Sequence, residues 1–209
     1  MRLCFRVCTV ILTLLILFVC SRQGFDMASP LIDYSTVKLP KLIAFDLDGT
    51  IWSPDMYQLW GGGAPFRLAA NKKDLLDRSG ASVRLLGISD NILHDLHSNP
   101  ALQHIKVAWV SCTDEPEWAE ECLSKFKTSG GVVIKNVVHS SEIYKANKQL
   151  HFQNLHKQYP DIRFEDMLFF DNEYGNIRTV SKLGVKCYHA EDGMTEEAWK
   201  EGLALFHNK

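Results

Sequence analysis

The chain has 209 residues, 46% of them hydrophobic, with 23 Lys and Arg against 25 Asp and Glu and a formal net charge of −2. That is enough apolar sequence for one domain with a sizeable core and too little for two full domains. There is no basic surplus and no basic cluster interleaved with aromatics, so nucleic acid is not an expected partner.

Val7 to Cys20 is an uncharged run preceded by Arg2 and Arg6, the plan of a signal peptide with a basic start and a short apolar core. It falls short of the roughly 20 residues that a helical membrane span needs. A cleaved signal, a signal anchor that associates with a membrane, and a gene-model extension ahead of an effective start at Met27 all fit the pattern. The expected organisation is therefore a leader over 1–26 and a globular domain over 27–209. Location follows the same fork: cytoplasmic if Met27 is the start, otherwise the secretory pathway or a membrane anchor. The chain has no Asn-x-Ser/Thr sequon, and its six cysteines show neither a CxxC pair nor zinc spacing, so Cys112, Cys122 and Cys187 are expected as free thiols.

Ser29 to Pro40 reads as an extended arm. Leu42-Ile43-Ala44-Phe45 reads as a buried parallel strand, followed at once by Asp46-Leu47-Asp48-Gly49-Thr50. Two carboxylates thus sit at the carboxyl end of a strand, two residues apart and on one side, at the edge where open α/β sheets bind ligands. Paired aspartates there also suit a plain solvated turn. Trp52 to Gly80, with Gly61-Gly62-Gly63 at its centre, shows no period and reads as a long loop, a candidate for substrate contact.

Arg84 to His97 places Leu85, Ile88, Leu93 and Leu96 on a helical face, with Ser89 and Asp90 as caps. Ile105 to Val110 is the next strand and ends in Ser111-Cys112-Thr113. A helix over Asp114 to Phe126, a strand over Val132 to Val138 and a helix over Tyr144 to Tyr159, carrying Lys145 and Lys148, follow. Met167 to Phe170 is a strand ending in Asp171-Asn172-Glu173, Ile177 to Leu183 a helix stopped by Gly184, and Val185 to His189 a strand. Thr195 caps a last helix to Phe206. This alternation predicts an α/β fold, a doubly wound parallel sheet between two helical layers.

Asp46, Asp48, Ser111, Thr113, Asp171 and one helix lysine would then gather along one sheet edge. Clustered carboxylates need a cation among them, and an oxygen-rich set suits Mg2+. Such a set fits phosphoryl transfer, in which a metal and a lysine neutralise phosphoryl oxygens while one aspartate attacks phosphorus and another moves the proton. Strand-end hydroxyls and helix lysines are also common without a role, and none of the histidines shows ligand spacing.

Asp46-Leu47-Asp48-Gly49-Thr50 resembles the nucleophile loop of the haloacid dehalogenase-like superfamily, and counterparts of all four of its motifs are present. Within it, the chain from Leu39 onward is similar to the eukaryotic magnesium-dependent phosphatase family, a capless group. The likeness is carried by Leu39-Pro40-Lys41-Leu42 with the nucleophile loop and Trp52, then Val83-Arg84-Leu85, Ser111-Cys112-Thr113, Glu142-Ile143-Tyr144, Phe169-Phe170-Asp171 and Ser181-Lys182-Leu183-Gly184-Val185. The resemblance implies Asp46 as a nucleophile that becomes an aspartyl phosphate and Asp48 as acid and base. It further implies Ser111 as the hydroxyl bonding the phosphoryl group and Lys148, with Lys145 as an alternative, as the lysine screening its charge. Mg2+ would be held by the Asp46 and Asp171 carboxylates and the Asp48 backbone carbonyl. The implied activity is a Mg2+-dependent phosphatase acting on a sugar or other small-metabolite phosphate, or on protein phosphotyrosine. A dehalogenase would have no use for Asp48, and a thiol nucleophile at Cys112 lacks the CxxxxxR loop. Asn172 stands where the family usually has a second aspartate, and the Gly-rich stretch after Trp52 also departs from the pattern. The alternative from another class is a catalytically weak phosphate-binding or scaffold protein.

Overall fold

The computed structural model describes residues 32–206. The leader expected over 1–26 and the start at Met27 lie outside them. In chain order the elements are β1 (Leu42–Phe45), β2 (Trp52–Ser53), β3 (Arg67–Leu68), β4 (Leu75–Leu76), β5 (Ser82–Leu85), α1 (Ser89–Ser98), β6 (Lys106–Ser111), α2 (Pro116–Lys125), β7 (Ser140–Ile143), α3 (Lys148–Gln158), β8 (Met167–Asp171), α4 (Tyr174–Val180), β9 (Lys186–His189) and α5 (Glu196–Ala204). No helix among the described residues is long and apolar enough to cross a membrane.

Five strands form a parallel sheet in the order β7-β6-β1-β8-β9. β1 is its centre because all four of its residues are apolar and buried, as a strand covered on both faces requires. Alternate side chains enter two separate cores. Ile43 and Phe45 join Trp109, Phe170 and Trp199 of α5 on one face; Leu42 and Ala44 join Ala108, Val110, Phe152 and Leu155 of α3 and Val180 of α4 on the other. Phe45 stacks on Phe170 at 5.4 Å between ring centroids, with Trp199 6.4 Å from Phe45. Two cores on one sheet make the three-layer, doubly wound architecture that the alternation predicts.

Three elements differ from the sequence reading. The stretch from Trp52 onward is no loop: β2, β5, β4 and β3 form a small antiparallel sheet in that order, with Trp52, Leu75 and Val83 buried in the main core. Its strands are two to four residues long and separated by turns, too short to show a period. Arg84 and Leu85 belong to β5, not to a helix. Gly87, at φ +54 with the Met194 carbonyl where a side chain would begin, ends the strand, and helix α1 starts only at Ser89. Val132 to Val138 is not a strand but carries a 3-10 turn, Ile134–Asn136, whose Ile134 is buried and whose amide bonds the Phe126 carbonyl. The third strand of the sheet is instead the polar Ser140–Ile143, which sits at an edge where burial on both faces is not demanded.

The helix expected from Tyr144 begins at Lys148, because Asn147 caps it by accepting the Leu150 amide at 2.9 Å. Lys145 therefore lies in the preceding loop. Thr195 caps α5 through the Ala198 amide at 3.0 Å, and Gly184 stops the helical segment at φ +96. Of the expected arm, residues 34–36 form a 3-10 turn capped by Asp33. Cys112, Cys122 and Cys187 form no disulfide among the described residues.

Candidate active site

The Asp46 amide donates to the Phe170 carbonyl at 2.9 Å, so the ladder of β1 on β8 runs one residue past the strand and fixes where its side chain emerges. The chain then turns around the Leu47 carbonyl, which accepts the Thr50, Ile51 and Trp52 amides at 3.2, 2.8 and 3.2 Å. Gly49 makes the turn at φ +74, and a side chain there would collide with Asn172. Both reasons demand glycine. Asn172 closes the loop from the neighbouring strand: its amide donates to Thr50 Oγ1 at 3.0 Å, and its side-chain oxygen lies 3.2 Å from that hydroxyl.

Lys148, 1% exposed, reaches from the first residue of α3 to the three central strands at once. Its Nζ contacts Asp46 Oδ1, donates to the Val110 carbonyl at 2.6 Å and lies 3.3 Å from Asp171 Oδ2. Burial alone would depress this ammonium, but the Asp46 and Asp171 carboxylates outweigh it and hold its pKa above the ordinary lysine range. Burial pushes the Asp46 carboxyl above its usual value against the pull of Lys148, with Asp171 adding to the rise. Asp171 is fully buried and fixed by the Glu173 amide at 2.7 Å and by Asn176 Nδ2 at 3.1 and 3.3 Å.

Asp48 turns to the other wall, accepting the Trp52 indole N–H at 2.7 Å and the Met56 amide at 3.1 Å. Burial pushes its carboxyl up to about 6, against those two hydrogen bonds. Asp46, Asp48, Ser111, Thr113 and Tyr57 share one open cleft of about 240 Å3. Ser111 ends β6, and its hydroxyl has no hydrogen-bond partner among the described residues; Thr113 Oγ1 accepts the Glu115 amide at 3.2 Å. Lys145 stands at the mouth, 2.6 Å from Asp114 and largely exposed, whereas Lys148 sits on the carboxylates.

The sequence-derived residues Asp46, Asp48, Ser111, Thr113 and Lys148 thus come together, with Asp171 behind Lys148. Thr50 and Trp52 are part of the motif but carry no role in the sequence reading, and Asn147 and Asn176 were not anticipated. A polar or indole group four positions after an aspartate, as in Asp46 to Thr50 and Asp48 to Trp52, and an amide one helical turn into α4, were the signals available.

Among the described residues no three His, Cys, Asp or Glu side chains gather as a metal-ligating group. The anticipated ligand set needs only two carboxylates and one backbone carbonyl, and its chemistry fits a hard cation. Two buried carboxylates, Asp46 and Asp171, share one ammonium, leaving negative charge in a desolvated place. Among the described residues Asp46 Oδ2 has only Thr50 Oγ1 for company, at 3.5 Å.

His151 lies one turn behind Lys148, fully buried, with Nε2 3.2 Å from the Tyr144 carbonyl, its ring edge-on to Tyr144 and Nδ1 without a partner among the described residues. Burial, with Lys148 adding, pushes the imidazole down to about 4. An unfolded chain titrates this histidine near its ordinary 6.5. Its contribution is therefore intact above pH 6.5 and is lost as the pH falls toward 4, by up to roughly 3 kcal/mol. Urea unfolding of wild type and His151→Gln across pH 7 to 4 should show the wild type losing stability faster over that window; parallel curves would mean the ring is not held neutral.

Residues 38–209 match the family model described as Acid Phosphatase. Magnesium-dependent phosphatase 1 of Homo sapiens is 36% identical over 172 residues, covering 81% of this chain and 88% of that protein. A putative magnesium-dependent phosphatase of Saccharomyces cerevisiae is 29% identical over 171 residues, 77% of this chain and 92% of that one. Among solved structures, the N-terminal part of a Bacteroides fragilis protein, containing a phosphatase domain complexed with Mg, superposes with a TM-score of 0.53 at 17% identity. That match covers 85% of this chain but only 42% of the other, and it is a likeness of fold.

Proposed function

The chain belongs to the acid phosphatase family, and on that premise we propose that it is a Mg2+-dependent phosphomonoesterase working through an aspartyl phosphate on Asp46. The observation that carries this reading is the Lys148 ammonium bridging Asp46 and Asp171, while Asp48 is held on the opposite wall of the same cleft.

Asp46 Oδ2, the oxygen not engaged by Lys148, attacks phosphorus as the bond to the leaving oxygen breaks. Asp48, its carboxyl raised by burial, gives its proton to that oxygen. The Asp48 carboxylate then takes a proton from the water that attacks the phosphoryl group, which frees inorganic phosphate and restores Asp46. Ser111 donates its hydroxyl to a phosphoryl oxygen, Thr113 lines its approach, and Lys148 holds the nucleophile in place and screens the charge. The Asp46 and Asp171 carboxylates and the Asp48 backbone carbonyl would hold Mg2+, which would supply further neutralisation of phosphoryl charge. Asn172 stabilises the turn from behind, through Thr50, so it serves the loop without adding charge to the site.

The substrate is a phosphomonoester, either a sugar or other small-metabolite phosphate or a phosphotyrosine side chain. The cleft is open, and Tyr57, 59% exposed, stands at its lip to meet the leaving group. The test is hydrolysis of p-nitrophenyl phosphate by the full chain with Mg2+ or with EDTA. Activity should vanish in EDTA and return with excess Mg2+, and an acid quench during turnover should leave phosphate on the peptide that carries Asp46. Turnover that persists in EDTA would remove the metal from the scheme; turnover with no trapped phosphate in any quench would remove the intermediate.

A further inference from the structure

A larger groove, of about 810 Å3, runs between the β3–β4 hairpin, the start of α1 and the segment after α2, and it shares no lining residue with the catalytic cleft. Its charge is lopsided. Lys72, Lys73, Lys125 and Lys127 line it against Asp74 and Asp90, in a chain whose formal net charge is −2. Lys125 is engaged by Glu121 at 2.6 Å, and Asp74 accepts the Asn71 amide at 2.9 Å. Lys72, Lys73 and Lys127 are exposed and make no ion pair among the described residues.

The hairpin tip that carries two of these lysines is fixed. Asn71 Oδ1 accepts the Lys73 and Asp74 amides at 3.0 Å each, the Lys72 amide bonds the Ala69 carbonyl at 3.0 Å, and Lys72 holds the left-handed turn at φ +58. Leu68, 54% exposed, and half-buried Leu85 give the groove an apolar floor. Leu68 also belongs to the two-residue strand β3 at the edge of the small sheet, next to Phe66, whose amide and carbonyl are engaged by Glu121 and Lys125 of α2.

We propose that this groove docks an extended acidic segment of a partner protein, with apolar residues interspersed among its Asp and Glu. Three free ammoniums around two leucines match such a segment in both charge and apolarity. A nucleic acid would use the lysines but not the leucines, and no aromatic lines the groove to stack a base.

The test is fluorescence anisotropy of the full chain with a short fluorescein-labelled peptide of Glu and Asp interspersed with Leu. A lysine-for-acid counterpart, an all-glutamate peptide and a single-stranded RNA serve as competing probes. The acidic leucine-bearing peptide should bind best and weaken with added salt. The combined Lys72→Glu, Lys73→Glu and Lys127→Glu variant should bind it about tenfold or more weakly. Leu68→Ser should weaken it while leaving the all-glutamate peptide unchanged, and hydrolysis of p-nitrophenyl phosphate should be unaffected throughout. Should the triple variant fail to fold, the single exposed substitutions Lys72→Glu and Lys127→Glu give the same sign at several-fold size. No peptide binding, equal binding by the charge-reversed protein, or tighter binding of RNA would each overturn the proposal.

Discussion

Asp46→Asn should lower kcat on p-nitrophenyl phosphate by about 10^4-fold or more while leaving the protein folded. An amide keeps the shape of the side chain but cannot attack phosphorus, and groups that act as a unit lose nearly everything when the nucleophile goes. Lys148 would retain Asp171 at 3.3 Å and the Val110 carbonyl at 2.6 Å, so its ammonium is not stranded and the melting temperature should hold. Asp48→Asn tests the other wall. It should cost about 10^2 to 10^4-fold in kcat with an alkyl phosphate and with p-nitrophenyl phosphate alike, because the water step is shared, while the first-turnover release of p-nitrophenolate, which needs no protonation, should be much less affected. Residual Asp46→Asn activity above a hundredth of wild type, in material shown free of deamidation, would place the nucleophile elsewhere.

Lys148→Met should be the most destabilising single change at the site, by about 3–5 kcal/mol, because it strands two buried carboxylates against each other. Methionine nearly fills the volume of the lysine stem, so the loss reports charge more than a cavity. In a domain of this size that corresponds to a fall in melting temperature of roughly 6–20 °C. A divalent cation between Asp46 and Asp171 would take over the neutralising task. Mg2+ should therefore raise the denaturation midpoint of the variant more than that of the wild type, with EDTA removing the difference. A variant as stable as its parent in EDTA would show that Asp46 and Asp171 are not electrostatically coupled through Lys148.

The central strands and the groups at their ends were legible in the sequence because full burial on two faces leaves an unbroken apolar run, as in Leu42 to Phe45 and Met167 to Phe170. The edge strand Ser140–Ile143 was not, because an edge is excused from that burial, and the genuinely apolar run before it spends its side chains on α2 instead. The small antiparallel sheet was hidden for another reason: two-residue strands carry no periodicity, and only their pairing, β2 and β4 on β5 and β3 on β4, reveals them. At the site, Asp46, Ser111 and Asp171 could be read from strand ends, but which lysine joins them could not be read from spacing alone. Asn147 decides it by starting α3 at Lys148 and leaving Lys145 in the loop.

The Lys148 to Asp46 contact joins residues 102 positions apart, and the strands that carry Asp46 and Asp171 bracket it. Pairing so distant in sequence is slow to form, since a long chain must close before any contact rewards it. On the ribosome, β1 would emerge with neither of its sheet neighbours and wait, apolar on both faces, until β6 and then β8 have been made. Synthesis therefore passes through a long interval in which a wholly apolar strand is exposed and no competent nucleophile exists. A chain truncated before Met167 should be both inactive and dependent on chaperones for solubility.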